Sequence, residues 1–178
     1  QEESLQRYVD RVSTLATRMA SDTTATAVAR AHTLAILHQL DRERAGRMLS
    51  FLGELGLLQH LAPALEFMDF SGANLKRLSL GGMDFEGSNL RRAELERADL
   101  RGADFESTDL RGANLNETRV DGANFDHADL RGADLSNATG ATPDQLKLAC
   151  LDATTILPKA MTLAHTSASG CTGTAQDD

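Results

Sequence analysis

A large apolar side chain recurs at every fifth position through the middle of this 178-residue chain. A second, usually small residue stands two positions before each of them. A period of five fits neither the 3.6-residue turn of an α-helix nor the two-residue alternation of a strand. It predicts a coil with five-residue sides, in which both residues point inward and the other three face water. The large residues are Phe70, Leu75, Leu80, Phe85, Leu90, Leu95, Leu100, Phe105, Leu110, Leu115, Val120, Phe125, Leu130 and Leu135.

A longer period of twenty residues is superimposed on the period of five. Phe85, Phe105 and Phe125 lie twenty positions apart, as expected if four units close one square turn. The segment from Pro63 to Gly140 has room for about four such coils. Each coil buries its inner residues only against the coils above and below, so both ends of the stack need covers. Glycines that suit tight corners follow the same spacing, at Gly82, Gly102 and Gly122.

Charged side chains form columns on the outer surface with the same spacing. Because charge recurs there without any convergent chemistry, we expect these columns to form an interaction surface. The Asp and Asn residues directly before each large residue are expected to support turns by bonding nearby backbone groups, rather than to bind calcium. The acidic column is Glu66, Glu86, Glu106 and Asp126, and the basic column is Arg91, Arg111 and Arg131.

The flanking segments predict α-helices that cover the stack. Residues 2–20 and about 24–40 have apolar residues at helical spacing, the second with Val28, Ala31, Leu34, Ala35 and Leu37. Asp41 is a candidate N-cap for a third helix, and Thr142 with Pro143 predicts a short helix to about Cys150. The predicted domains are an α-helical domain at 1–60, a β-helix at 61–140, a C-terminal cap at 141–158 and a disordered tail at 159–178.

Composition narrows the functional classes. The net charge of -8 is concentrated in the repeats, which disfavours direct binding of nucleic acid. No run of apolar residues is long enough to span a bilayer, and no signal peptide is visible. Cys150 and Cys171 are too few for a disulfide framework, so a reducing, cytoplasmic location is expected.

No pattern of catalytic or metal-binding residues is visible. Catalysis needs convergent groups such as a nucleophile beside a base, whereas the five histidines are scattered along the sequence. His32 and His38, six positions apart, do not share a helix face. We therefore predict a protein that is not an enzyme and that holds no cofactor and no metal.

The units ANLKR, ADLRG, ADFES, ANLNE and ANFDH resemble the A(D/N)LXX motif of the pentapeptide repeat family. This resemblance implies a right-handed quadrilateral β-helix, so the predicted class is a mainly β solenoid with an α-helical N-terminal domain and a short C-terminal capping helix. The helical part is similar to the cytoplasmic region of bacterial membrane-anchored members of the family. It implies attachment to a membrane only through a segment that this chain does not contain.

Three functions follow from these features. The leading hypothesis is a non-catalytic protein-interaction scaffold with an unidentified protein partner. The alternative is a DNA mimic that inhibits DNA gyrase, as some members of the family do. It requires a continuous negative face and, because four coils make too short a rod, two chains joined end to end. A third possibility is self-association through residues 1–60, with the stripe Leu5, Val9, Val12 and Met19 packing against a second copy.

Overall fold

The computed structural model describes residues 23–61, 65–159 and 161. Within them, α-helices precede the repeats, at Thr23–Leu37 (α1), Arg42–Glu54 (α2) and Leu58–Leu61 (α3). The helix predicted over 2–20 and most of the predicted tail lie outside the described residues. None of the helices described is long and apolar enough to cross a membrane.

Helix α2 covers the N-terminal end of the stack, here called the lower end. Its predicted N-cap is confirmed, since Asp41 Oδ1 accepts a hydrogen bond from the Arg44 N–H at 3.0 Å. The helix lies so close to the first coil that a Cβ added to Gly46 would stand 2.8 Å from Ala73 Cβ. Ser50 Oγ donates to the Asn74 carbonyl at 2.8 Å. Its apolar face is thereby buried on the bottom of the β-helix.

Helix α1 buries only part of the apolar set that the sequence indicated. Ala29, Thr33 and Leu37 are fully buried, whereas Val28 is 47% exposed and Ala31 and Ala35 are exposed as well. The buried residues are four positions apart and form a stripe along one side of α1, and α1 packs against α3. Thr33 is tolerated in this stripe because its hydroxyl donates to the Ala29 carbonyl at 2.8 Å.

The repeats form a four-sided β-helix, as the two periods predict. Parallel bridges join residues twenty apart, from Asp69 with Asn89 to Arg119 with Thr139. We number the faces by their central residues. Face 1 is centred on Leu65, Phe85, Phe105 and Phe125; face 2 on Phe70, Leu90, Leu110 and Leu130; face 3 on Leu75, Leu95, Leu115 and Leu135; face 4 on Leu80, Leu100 and Val120.

In the unit Ala103–Ser107 every backbone amide has a partner. Ala103 donates to Leu100 at 3.0 Å across the corner, and Asp104 donates to Met83 in the coil below at 2.9 Å. Phe105 and Ser107 donate to the coil above at 2.8 and 2.9 Å. The remaining amide, that of Glu106, donates to Asp104 Oδ1 at 3.0 Å. The ladder thus satisfies the backbone without long strands.

The predicted role of the Asp and Asn residues in turns is confirmed. In eleven units from Asp69 to Asp134, the Oδ1 atom of the residue before the centre accepts the N–H two positions on. A carboxylate and an amide serve equally well, since each offers one suitably placed oxygen.

The interior is a stack of side-chain columns. Phe85, Phe105 and Phe125 are at most 1% exposed, and their rings stack with centroids 5.2 and 5.3 Å apart. Phe70 meets Phe85 edge to face at 6.2 Å. The prediction that this column is core is therefore confirmed.

The corners impose a left-handed backbone on the second residue after each centre. This residue has positive φ from Phe67 to Gly132, and such a conformation at the third position of a turn is that of type II. Glycine adopts it without strain, as at Gly102, where φ is 65° and an added Cβ would meet nothing within 4 Å. Arg92, Ser107 and others adopt it although they carry a Cβ.

The prediction of a helix from Thr142 to Cys150 is wrong, because this segment forms turns and rejoins the ladder. Thr142 and Gln145 exchange capping bonds, but Gln145 Nε2 also donates to the carbonyls of Val120 and Ala123. Cys150 then pairs with Asp129 and Ile156 with Asp134. The unpaired ladder edge outweighs the local helix signal. Leu146 and Ala149 are buried, as predicted.

Cys150 is disulfide-bonded, contrary to the reduced cysteines expected from the sequence. The sequence contains one other cysteine, Cys171, which lies outside the described residues.

We predict that Phe105→Ala lowers the free energy of unfolding by about 3 to 5 kcal/mol, because it leaves a cavity between two stacked rings. Phe105→Leu is expected to cost less than about 1.5 kcal/mol, since leucine fills the same position on the other faces. Urea unfolding followed by circular dichroism measures both. Equal losses would show that ring stacking does not shape this column.

We predict that Asp134→Ala lowers the free energy of unfolding by about 1 kcal/mol, because the Ser136 N–H loses its acceptor at 2.8 Å. Asp134→Asn is the matched control and should be close to neutral, since Asn74 and Asn114 make the same bond in this column. Thermal unfolding distinguishes the two. If Asp134→Asn lost as much stability as Asp134→Ala, the stabilisation would come from the negative charge and not from the hydrogen bond.

Candidate functional site: the acidic face

Faces 2, 3 and 4 neutralise most of their charge internally. On face 2, Arg111 and Arg131 each bind the Asp two positions before them, with Nη2 to Oδ2 distances of 2.7 and 2.6 Å. Arg101 binds Asp99 in the same way on face 4, at 2.6 Å. On face 3 the pairs join neighbouring coils, as with Arg97 and Glu117 at 2.7 Å or Lys76 and Glu94 at 3.1 Å.

The pKa directions agree with this pairing. The hydrogen bond from Arg101 holds the pKa of Asp99 below its ordinary value. Burial raises the pKa of Asp109, but the side-chain and backbone bonds from Arg111 outweigh it and leave the pKa lowered. The bond from Arg97 lowers the pKa of Glu117. These carboxylates are held in the charged form.

Face 1 differs because its carboxylates have no cationic partner. In the part of the chain that the structure describes, no Lys, Arg or His nitrogen lies within 4.0 Å of any of them. Two of them, Asp84 and Asp104, accept the turn amides of Glu86 and Glu106, which positions them without neutralising their charge. The six carboxylates of this acidic face are Glu66, Asp84, Glu86, Asp104, Glu106 and Asp126.

Repulsion within the acidic face is greatest at its lower end. The pKa of Glu66 is raised, first by a hydrogen bond with the Asp84 carboxyl and then by the negative charges of Asp84 and Glu86. A raised carboxyl pKa means that the folded protein disfavours the charged form. Positive charge from a partner would therefore relieve the repulsion at the lower end of the acidic face.

An exposed aromatic ring borders these carboxylates. Phe67 is 75% exposed and has the left-handed backbone of a corner, with φ of 55°. Its ring lies on the backbone of Gly87, where an added Cβ would stand 2.5 Å from Cε1. The ring therefore has one covered face and one face open to a ligand. A bulky side chain in this conformation is uncommon.

The predicted site residues fall on two faces. Glu66, Glu86, Glu106 and Asp126 lie on face 1, and Arg91, Arg111 and Arg131 lie on face 2. The two columns do not pair with each other, because Arg111 and Arg131 bind aspartates of their own face. Sequence reasoning missed Asp84, Asp104 and Phe67. The first two were visible as the acidic members of a turn column, whereas the exposure of Phe67 depends on the fold.

No clustered chemistry accompanies the acidic face. Across residues 23–61, 65–159 and 161, no group of three or more His, Cys, Asp and Glu residues is arranged to hold a metal ion. The carboxylates run along a ladder, so they line a surface instead of converging on a point. Such an arrangement suits an extended partner.

Coils of four five-residue faces, with columns of outward charge, define a β-solenoid of the kind that serves binding through its surface. Residues 69–106 and 103–139 match the family described as pentapeptide repeats, in eight copies. This segment belongs to the pentapeptide repeat family, whose fold is a right-handed quadrilateral β-helix. Proteins of this family are generally not catalytic.

Three solved structures are similar to the chain. The pentapeptide repeat protein Rfr23 from the cyanobacterium Cyanothece 51142 is 29% identical over 53% of this chain and 65% of that one, with a TM-score of 0.47. HetL from the cyanobacterium Nostoc sp. strain PCC 7120, involved in heterocyst differentiation regulation, is 26% identical over 51% of each chain, with a TM-score of 0.35. A pentapeptide repeat protein of the Arabidopsis thaliana thylakoid lumen is 34% identical over 46% of this chain and 56% of that one, with a TM-score of 0.25. The alignments span less than two thirds of each of those chains. No curated protein sequence matches this chain.

We predict that Glu66→Gln raises the unfolding temperature at pH 7. An acid whose pKa is raised in the folded state destabilises the protein above that pKa, and this contribution disappears as the pH falls below the unfolded value. The difference from wild type should therefore vanish at low pH. Calorimetry at several pH values measures it.

Glu117→Gln is the control with the opposite sign. Its pKa is lowered by Arg97, so its charge stabilises the folded state at neutral pH and the stabilisation is lost as the pH falls. We expect this variant to lower the unfolding temperature at pH 7. If both variants shifted it in the same direction, the contrast between the two environments would be wrong.

Proposed function

We propose that this chain is a non-catalytic interaction module whose acidic face docks a partner protein that presents basic side chains. The observation that carries the proposal is the lack of a cation within 4.0 Å of any of the six carboxylates of face 1, whereas faces 2, 3 and 4 each contain ion pairs within that distance. Like charges stacked in register repel one another, and a partner's lysines or arginines would relieve that repulsion.

The rigidity of the surface supports docking by complementarity. Asp84 and Asp104 are fixed by their bonds to turn amides, and Asp104 also accepts from Asn124 Nδ2 at 3.0 Å. The surface is thus preorganised, which lowers the entropy cost of binding. Phe67 offers an aromatic face for a guanidinium or ammonium group beside Glu66 and Glu86.

A second candidate is the DNA mimic, since the acidic face is continuous and its neighbouring arginines Arg111 and Arg131 are neutralised by their own aspartates. Adjacent coils are about 4.8 Å apart, not far from the 3.4 Å rise of phosphates along one DNA strand. The five layers of faces 2 and 3 give a rod of only about 19 Å, whereas one turn of DNA measures about 34 Å. Docking of a basic protein segment fits this length better.

The location, the membrane anchor and self-association through residues 1–60 remain predictions from the sequence. The stripe proposed for self-association lies outside the described residues.

We predict that Glu86→Gln/Glu106→Gln/Asp126→Asn weakens binding of a short lysine- and arginine-rich peptide by about tenfold or more, because three carboxylates of the acidic face lose their charge. Fluorescence anisotropy at low and physiological salt measures the affinity. Phe67→Ala should weaken it by a further factor of roughly three, which is the range of an exposed cation–π contact.

Glu96→Gln/Glu117→Gln/Asp121→Asn is the matched control, because it removes three negative charges from faces 3 and 4. It should retain most of the affinity. Equal losses in the two triple variants would show attraction by net charge alone and would reject the docking surface. Inhibition of supercoiling by purified DNA gyrase, abolished by the face 1 variant but not by the control, would favour the DNA mimic instead.

A further inference from the structure

A groove separates helix α2 from face 2 at the lower end of the β-helix. One wall is the flank of α2, and the other is formed by the first coil and the coil above it. The groove has a volume of about 1120 Å³, and none of its lining residues belongs to the acidic face. It exists because Gly46 and Ser50 hold α2 against Ala73 and Asn74 along one line only.

The groove is basic although the protein is acidic. Its charged lining consists of four arginines, Arg42, Arg47, Arg91 and Arg92, and two carboxylates, Glu43 and Glu54. Four positive charges less two negative charges leave a net charge of +2, against -8 for the whole chain. The Ser71 hydroxyl and the Asn89 side-chain amide add polar groups to the lining.

These arginines are weakly paired. Within the described part of the chain, no carboxylate lies within 4.0 Å of the guanidinium nitrogens of Arg42, Arg91 or Arg92. Arg42 Nη1 donates only to the neutral Ser71 hydroxyl, at 3.4 Å. Arg47 meets Glu43 at 3.8 Å, where both side chains are mostly exposed. Pairs of that kind contribute little.

The repeat departs from its own pattern at this place. In the face 2 column, Asp109 and Asp129 hold Arg111 and Arg131, but Asn89 stands before Arg91 and bonds only its backbone amide. At the corner of the same face, the other coils have glycine, at Gly72, Gly112 and Gly132, whereas this coil has Arg92 with φ of 57°. Arg91 thus has no aspartate two positions before it, and Arg92 occupies a left-handed position where the other coils have glycine. Both departures line the groove.

We propose that this groove binds a phosphate monoester. Such a group carries a charge of about -1.5 to -2 at neutral pH and offers three strong acceptor oxygens, which complements a net charge of +2. The planar guanidinium forks of arginine bind phosphate oxygens in pairs, and hydroxyl and amide donors satisfy the third oxygen. The phosphate belongs either to a modified side chain of a partner protein or to a small phosphorylated molecule.

The test is calorimetric titration of the whole chain with inorganic phosphate and with a short phosphoserine peptide, using the unphosphorylated peptide as a blank. The variant Arg91→Ser/Arg92→Gly copies the residues that the lower coil has at Ser71 and Gly72. It should fold normally, since glycine suits the left-handed corner. We expect it to weaken binding of both phosphate probes by about tenfold or more.

Arg111→Ser/Arg131→Ser removes two positive charges from the same face, outside the groove, and should keep the affinity within about twofold. A phosphopeptide that binds far more tightly than inorganic phosphate would identify a protein source, and equal affinities would identify a small molecule. The proposal is overturned if neither probe gives saturable binding to the wild type. It is also overturned if the two double variants lose affinity equally.

Discussion

The hydrogen bonds between coils determine everything else in this molecule. Because each unit donates amides both to the coil below and to the coil above, residues twenty apart are held in register at about 4.8 Å. Every side chain is therefore stacked on its own column. Inward columns become a close-packed core, as with the three phenylalanine rings. Outward columns bring like charges together, and each face has to accommodate that repulsion.

Faces 2, 3 and 4 reduce the repulsion between stacked carboxylates with arginine and lysine side chains. Each of these lies two positions from a carboxylate in sequence or one coil away from it. Hydrogen bonds from arginine lower the pKa values of Asp99, Asp109 and Glu117 on these faces. Face 1 has no such cations in its described part, and its lower end shows the opposite shift at Glu66. The lower end of face 2 has the opposite surplus, with Arg91 and Arg92 beside Arg42 and Arg47. One coil thus presents unpaired charge of each sign on adjacent faces.

The periods of five and twenty predicted the β-helix, its inward residues and its charged columns, because each is a direct consequence of the ladder. The helix expected at Thr142 failed because its capping residues are local signals, whereas the unpaired edge of the coil below is a tertiary one. The apolar pattern of α1 was a weaker guide to burial, since Ala29 and Thr33 are fully buried whereas Val28 is 47% exposed. The arginine groove depends on the placement of α2, which no period in the sequence specifies.

The last layer of the ladder is out of step with the rest. Bridges within the repeats join residues twenty apart, but Asp129 pairs with Cys150 and Asp134 with Ile156, at separations of 21 and 22 residues. A β-helix with the same period at both ends would offer matching edges, and copies could add to one another without limit. Here α2 covers the lower edge and the irregular layer changes the upper one. The two ends of the β-helix therefore oppose growth into a fibre.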